Sequence, residues 1–159
     1  MIRVAIITVS DRSAHGERKD LSGDTIREML GEIEAEVVWY KIVPDELEVI
    51  KSTLKEAIEK WEADLVLTTG GTGLAVRDVT PEATREVVEK IVPGICEAMR
   101  LESFKKTPRA ILSRAIAGTR GRSLIINLPG SPRGVRESLA VILKALPHGI
   151  AILKGEATD

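Results

Sequence analysis

Four stretches of this chain are apolar almost without a break, and few folds tolerate that. Residues 2–9 (IRVAIITV), 37–43 (VVWYKIV), 64–69 (DLVLTT) and 123–128 (SLIINL) are rich in β-branched residues and do not alternate apolar with polar. A half-exposed strand alternates, whereas a strand covered on both faces need not. Between these runs the apolar spacing switches to three and four residues. Leu47, Ile50, Leu54, Ile58 and Trp61 recur in this way over 46–61, with Glu and Lys on the other side. Further helices are expected over 21–31, with Ser22 or Asp20 as cap, over 80–91, and over 95–104 after a stop at Pro93-Gly94. A last helix begins at Ser131-Pro132 and is kinked or broken by Pro147. Residues 110–118 (AILSRAIAG) suit either a strand or a short helix, and the turn after them suggests a hairpin into 123–128. The polar loop up to Asp20 is expected to be mobile. Strands alternating with helices imply an α/β fold: three layers, αβα, with a mostly parallel sheet covered by helices on both faces. At 159 residues the chain is read as one domain over 1–159.

In such sheets ligands bind outside the carboxyl ends of the strands. The most informative of these ends lies in residues 65–82, LVLTTGGTGLAVRDVTPE. Here a buried strand runs into Gly70-Gly71-Thr72-Gly73, then a carboxylate at Asp78, then Thr80-Pro81, which reads as a helix start with Thr80 as cap. Backbone N–H groups in a glycine loop can cradle phosphates. Asp45 ends another strand just after Pro44, which cannot continue a ladder. Two carboxylates beside such a loop match Mg²⁺, which is usually held by one or two carboxylates together with substrate phosphates. Pro-Asp is also a common turn pair, so position alone leaves a purely conformational role open for Asp45. The run 127–132 (NLPGSP) forms a second glycine-containing loop that opens a helix. Arg12, Arg77, Arg114 and Lys154 are candidate cations for phosphate, although each also suits a surface ion pair.

Other chemistries are disfavoured. The net charge is −1 and aromatic residues make up 3% of the chain, which does not suit a nucleic-acid binder. There is neither a G-x-x-x-x-G-K-[ST] nor a G-x-G-x-x-G with a downstream acid. No Cys/His group has zinc spacing. His15 and His148 have no obvious serine or cysteine partner. The single cysteine, Cys96, lies in an amphipathic stretch where core packing is the better reading, and it suits a reducing cytosol. No apolar run approaches the ~20 residues that cross a bilayer, and no signal-peptide pattern opens the chain. A cytoplasmic protein without membrane or nucleic-acid partners is expected.

Taken together, TVSDR (8–12), Pro44-Asp45, TTGGTG (68–73), RDVTPEAT (77–84), LSRAIAG (112–118) and NLPGSP (127–132) resemble the MogA/MoaB-type molybdopterin adenylyltransferases. The G domain of gephyrin belongs to the same group. The likeness runs in order along nearly the whole chain. It implies Mg²⁺-dependent transfer of AMP from ATP to the terminal phosphate of molybdopterin, with release of pyrophosphate. By the resemblance, Asp45 and Asp78 match the essential acids and would coordinate the metal. Gly70, Gly71, Thr72 and Gly73 would cradle the nucleotide phosphates. Ser10, Asp11, Ser113, Arg114 and the loop of Asn127, Pro129, Gly130, Ser131 and Pro132 would line the pterin and nucleotide pocket. The family is usually trimeric, which implies a homotrimer and hand-over of product to a molybdate-inserting protein. No fused second domain of that inserting type is expected, so the resemblance implies adenylylation without metal insertion. The motifs separate neither MogA-like from MoaB-like members nor molybdenum from tungsten. Two other readings use the same features: a carrier that binds molybdopterin without catalysis, and a nucleotide hydrolase like the competence-damage proteins that share this sheet architecture.

Overall fold

The structure, a computed structural model, describes residues 1–158. One six-stranded sheet organises them, in the order β2 (Ala35–Val43), β1 (Ile2–Val9), β3 (Leu65–Thr69), β6 (Ser123–Leu128), β5 (Ala117–Arg120), β4 (Lys90–Ile91). Strands β1, β2, β3 and β6 are mutually parallel. The hairpin predicted before β6 is present: β5 (Ala117–Arg120) pairs antiparallel with β6, and Arg120 faces Ser123 across the turn. Every residue of β3 and β6 is buried, as their unbroken apolar character requires.

The pleat sends alternate side chains into two cores. Val4, Ile6, Leu65, Leu67, Leu124 and Ile126 pack against α2 (Leu21–Leu30), α5 (Pro93–Phe104), α6 (Pro132–Ile142) and α7 (Leu146–Leu153). Ala5, Ile7, Val66 and Ile125 pack against α3 (Leu47–Glu59) and α4 (Thr80–Val87) on the other face. The αβα layering and mostly parallel sheet are those expected. Cys96 is part of the first core, and burial raises its thiol pKa to about 11.

Several local expectations are corrected. The loop after β1 contains a short helix, α1 (Asp11–Ala14), because the Ser10 hydroxyl caps it by accepting the Ser13 N–H at 3.2 Å. Of the two candidate caps of α2, it is Asp20 that accepts the Gly23 N–H. Thr80 does not cap α4, since Val79 occupies that place and the Thr80 hydroxyl donates to the Gly70 carbonyl at 2.9 Å. Helix α4 also ends at Val87, short of the expected Ile91. The backbone after it is drawn out by pairing with β5, where β4 (Lys90–Ile91) forms the sheet edge. Pro93 opens α5 and does not stop a helix, because a residue lacking an N–H costs nothing at the first helical position. The ambiguous stretch 110–118 divides into the end of a 3₁₀ turn (Pro108–Leu112) and the start of β5.

Candidate active site

Four parallel strands bring four carboxyl ends to one edge, and each end opens into a loop that contributes to a cleft of about 380 Å³. That volume falls in the range of small-molecule sites. Ser10 enters from β1, Asp45 from β2, Gly70, Gly71 and Asp78 from β3, and Gly130, Ser131 and Pro132 from β6.

The glycine turn is pressed into the sheet edge. Gly70 has φ +100°, and a Cβ there would stand 2.2 Å from the Val9 carbonyl oxygen, so no other residue fits without moving β1. Its N–H donates to the Leu128 carbonyl. The turn is fastened to α4 twice, by the Thr80 hydroxyl on the Gly70 carbonyl and by the Thr80 N–H on the Gly71 carbonyl. The second loop is fastened likewise. Thr69 donates its hydroxyl to the Pro129 carbonyl at 2.5 Å, and Ser22 donates to the Gly130 carbonyl at 2.7 Å. These bonds consume carbonyls. The N–H groups of Gly71, Gly130 and Ser131 find no protein acceptor among the described residues, so they remain donors for a ligand. The Ser131 hydroxyl accepts the Gly134 N–H and caps α6, as expected.

Asp45 stands beside this turn: a Cβ on Gly71 would lie 3.1 Å from Asp45 Oδ1. The conformational and functional readings of Asp45 are compatible, because its N–H and Oδ2 are used in a lock between strand tips while Oδ1 lies beside the glycine turn. Its N–H donates to Asp11 Oδ1 and the Asp11 N–H donates to Asp45 Oδ2, both at 3.0 Å, which locks the tips of β1 and β2 together. Arg77 reaches across to grip Asp11 with two bonds, at 3.0 and 2.9 Å. The Arg77 guanidinium holds the Asp11 pKa below the usual carboxylate value. Asp45 has no such partner. Burial, and then the Asp11 and Asp78 carboxylates nearby, raise its pKa. Asp78 Oδ2 accepts the Ala75 N–H at 3.0 Å. Asp45 and Asp78 thus form an acidic site whose repulsion a hard cation would relieve. Among the described residues no three His, Cys, Asp or Glu side chains gather closely enough to hold a metal by themselves. The donor set therefore fits Mg²⁺ only with substrate phosphates completing the shell.

Several predicted lining residues do other work. Asn127 is fully buried. Its amide donates to the Thr68 and Thr84 hydroxyls at 3.0 Å each and accepts the Ile116 N–H at 3.2 Å, so it ties β3, α4 and the start of β5 together. Arg114 is spent on carbonyls of the 72–78 segment and on Glu82. Asp11, Thr72 and Gly73 lie outside the cleft lining. Ser113 and Pro129 line a neighbouring cavity of about 240 Å³ between α5, the 3₁₀ turn and α6. Among the suggested cations, Arg77 and Arg114 are paired with acids, and Lys154 lies near Asp64 at the opposite edge of the sheet.

The cations that do line the cleft are Arg18 and Lys19, which sequence reasoning passes over. A signal is available: a basic pair just before the α2 cap, in the chain leaving a strand tip. Asp20, expected only as a helix cap, also accepts the Thr8 hydroxyl at 2.6 Å and the Tyr40 hydroxyl, whose pKa burial and that carboxylate raise.

A family model described as "Probable molybdopterin binding domain" matches residues 5–148. The molybdopterin adenylyltransferase of Helicobacter pylori strain 26695 is 45% identical over 97% of this chain and 89% of its own length. Among solved structures, the molybdopterin biosynthesis enzyme MoaB of Thermus thermophilus superposes with a TM-score of 0.93 at 53% identity, covering 98% of both chains. The tungsten cofactor synthesizing protein MoaB of Pyrococcus furiosus gives 0.86 at 39% identity, over 98% of this chain and 96% of that one.

Proposed function

Because the chain belongs to the probable molybdopterin binding domain family, we propose that it is a molybdopterin adenylyltransferase. Its substrates are ATP and molybdopterin, and its metal is Mg²⁺. A phosphate oxygen of the pterin attacks the α-phosphorus of ATP. The new P–O bond replaces the bond from α-phosphorus to the bridging oxygen, and pyrophosphate leaves with that electron pair. A phosphate monoester is already largely a dianion at pH 7, so no side chain has to take a proton. The protein's work is therefore positioning and charge compensation. Asp45 and Asp78 would hold Mg²⁺, which when bound neutralises phosphate charge. The Gly71, Gly130 and Ser131 N–H groups and the Arg18 and Lys19 side chains line the same cleft and would supply donors and positive charge to the remaining phosphate oxygens.

One observation carries this reading: Asp45, which follows β2, lines one cleft with Asp78 and the Gly70-Gly71 turn, which follow β3. The test is to mix purified molybdopterin, ATP and Mg²⁺ with the protein and measure pyrophosphate. Release is expected from the wild type and a fall of about 100-fold or more from Asp78→Asn. Absence of release, or equal release from the variant, refutes the proposal. The carrier reading differs in a titration with ATP and Mg²⁺, where it predicts no binding heat. We take the working form to be a cytoplasmic homotrimer that hands its product to a molybdate-inserting protein. Sedimentation equilibrium at a monomer mass would refute the trimer.

A further inference from the structure

The segment that carries Asp78 has little to hold it in place by packing. Leu74 is 66% exposed and Val76 is 95% exposed, so 74–77 buries almost no apolar surface. Polar tethers must fix it: Arg77 ties the tip to Asp11, and the backbone carbonyls on either side of the tip are held by one residue, Arg114. The Arg114 N–H donates to the Thr72 carbonyl at 2.8 Å. Its Nε donates to the Gly73 carbonyl and its Nη2 to the Asp78 carbonyl, both at 2.7 Å. The guanidinium is completed by Glu82 in the first turn of α4, with Nη1 2.6 Å from Oε2 and Nη2 3.2 Å from Oε1. Arg114 is itself anchored. Arg100 Nη1 donates to the Ser113 and Ala115 carbonyls on either side of it, and Asn127 Oδ1 accepts the Ile116 N–H two residues on.

We infer that Arg114 is a positioning residue for the transfer reaction, a fork that sets the height of the Asp78 carboxylate over the cleft. It does not line the cleft and acts through the backbone carbonyls on either side of the 74–77 tip. An exposed Arg–Glu pair alone contributes little and would need no such geometry. A planar guanidinium spanning two carbonyls is different, because lysine cannot replace its fixed fork. The catalytic half of this inference rests on the adenylyl-transfer reading; the structural half does not.

The experiment compares Arg114→Gln, Arg114→Lys and Glu82→Gln with the wild type. Hydrogen exchange is followed on the ligand-free protein and steady-state kinetics at saturating Mg²⁺. Both Arg114 variants should speed exchange at amides 72–79 by about tenfold or more while leaving β1 and β6 unchanged. Their kcat should fall by about 30-fold or more, with KM for ATP changed by about threefold at most, since small misplacements near a reacting centre cost up to ~100-fold. Glu82→Gln keeps the carbonyl contacts and should stay within about threefold of wild type in both. If Arg114→Gln fails to fold, Arg114→Lys carries the same expectations with charge and stem retained. Three results overturn the inference: unchanged exchange at 72–79 in the Arg114 variants, full rescue by lysine, or equal damage from Glu82→Gln. An inactive wild type that keeps the exchange contrast would refute the adenylyl-transfer reading and leave the fork standing.

Discussion

Replacing Gly70 by alanine isolates the close approach on which the cleft is built. Two costs arise. The residue holds φ +100°, and a conformation of that kind costs an ordinary L-residue ~1–2 kcal/mol. Part of this is offset, by ~0.4–1 kcal/mol, because alanine restricts the unfolded chain. The second cost is steric. The new Cβ would stand 2.2 Å from the Val9 carbonyl oxygen, a backbone atom that cannot rotate away. Separating the two segments breaks the bond from Gly70 N–H to the Leu128 carbonyl and the bond from the Thr80 hydroxyl to the Gly70 carbonyl. Each is worth ~0.5–1.5 kcal/mol, and more if a donor is left buried without a partner. The net loss is expected to be ~3 kcal/mol, set against a total stability of ~5–15 kcal/mol. With a urea slope of ~2 kcal/mol per molar, the unfolding midpoint should fall by ~1.5 M. Gly121→Ala is the control. It has φ +56° but nothing within 4 Å of a Cβ, so it should lose only ~1 kcal/mol. If both variants unfold at the same urea concentration, the clash is not what makes Gly70 necessary.

Other outcomes follow from the same geometry. Asp45 has its native pKa raised, so its ionisation disfavours the fold above the carboxylate range and costs nothing at acid pH, where both states are protonated. Asp45→Asn should therefore unfold at a higher temperature than wild type at pH 7, lose that gain at about pH 4 and below, and show no adenylyl transfer; a lower melting temperature at pH 7 would contradict it. Asn127→Leu strands the Thr68 and Thr84 hydroxyls and the Ile116 N–H, and should cost about 3 kcal/mol or more in urea unfolding. A loss below ~1 kcal/mol would show that this network is not holding the strands.

The amino-acid sequence by itself determined the alternation of the main strands and helices, the parallel strands and the edge at which the cleft lies. Runs such as LVLTT and SLIINL can be buried on both faces only inside a covered sheet, and loops at the ends of parallel strands share one edge. Asp45, Asp78 and the Gly70-Gly71 turn were legible for that reason. Tertiary structure decided what the longer polar side chains do. Arg114, Asn127 and Arg77 look from sequence like ligand-binding groups, yet their bonds go to residues 36, 59 and 66 positions away in the chain. Arg18 and Lys19 look like loop charge and yet line the cleft. Periodicity reports which side of an element is apolar, a property of near neighbours. The partner of a guanidinium or an amide is chosen only when strands distant in sequence have packed, and no local pattern encodes that choice.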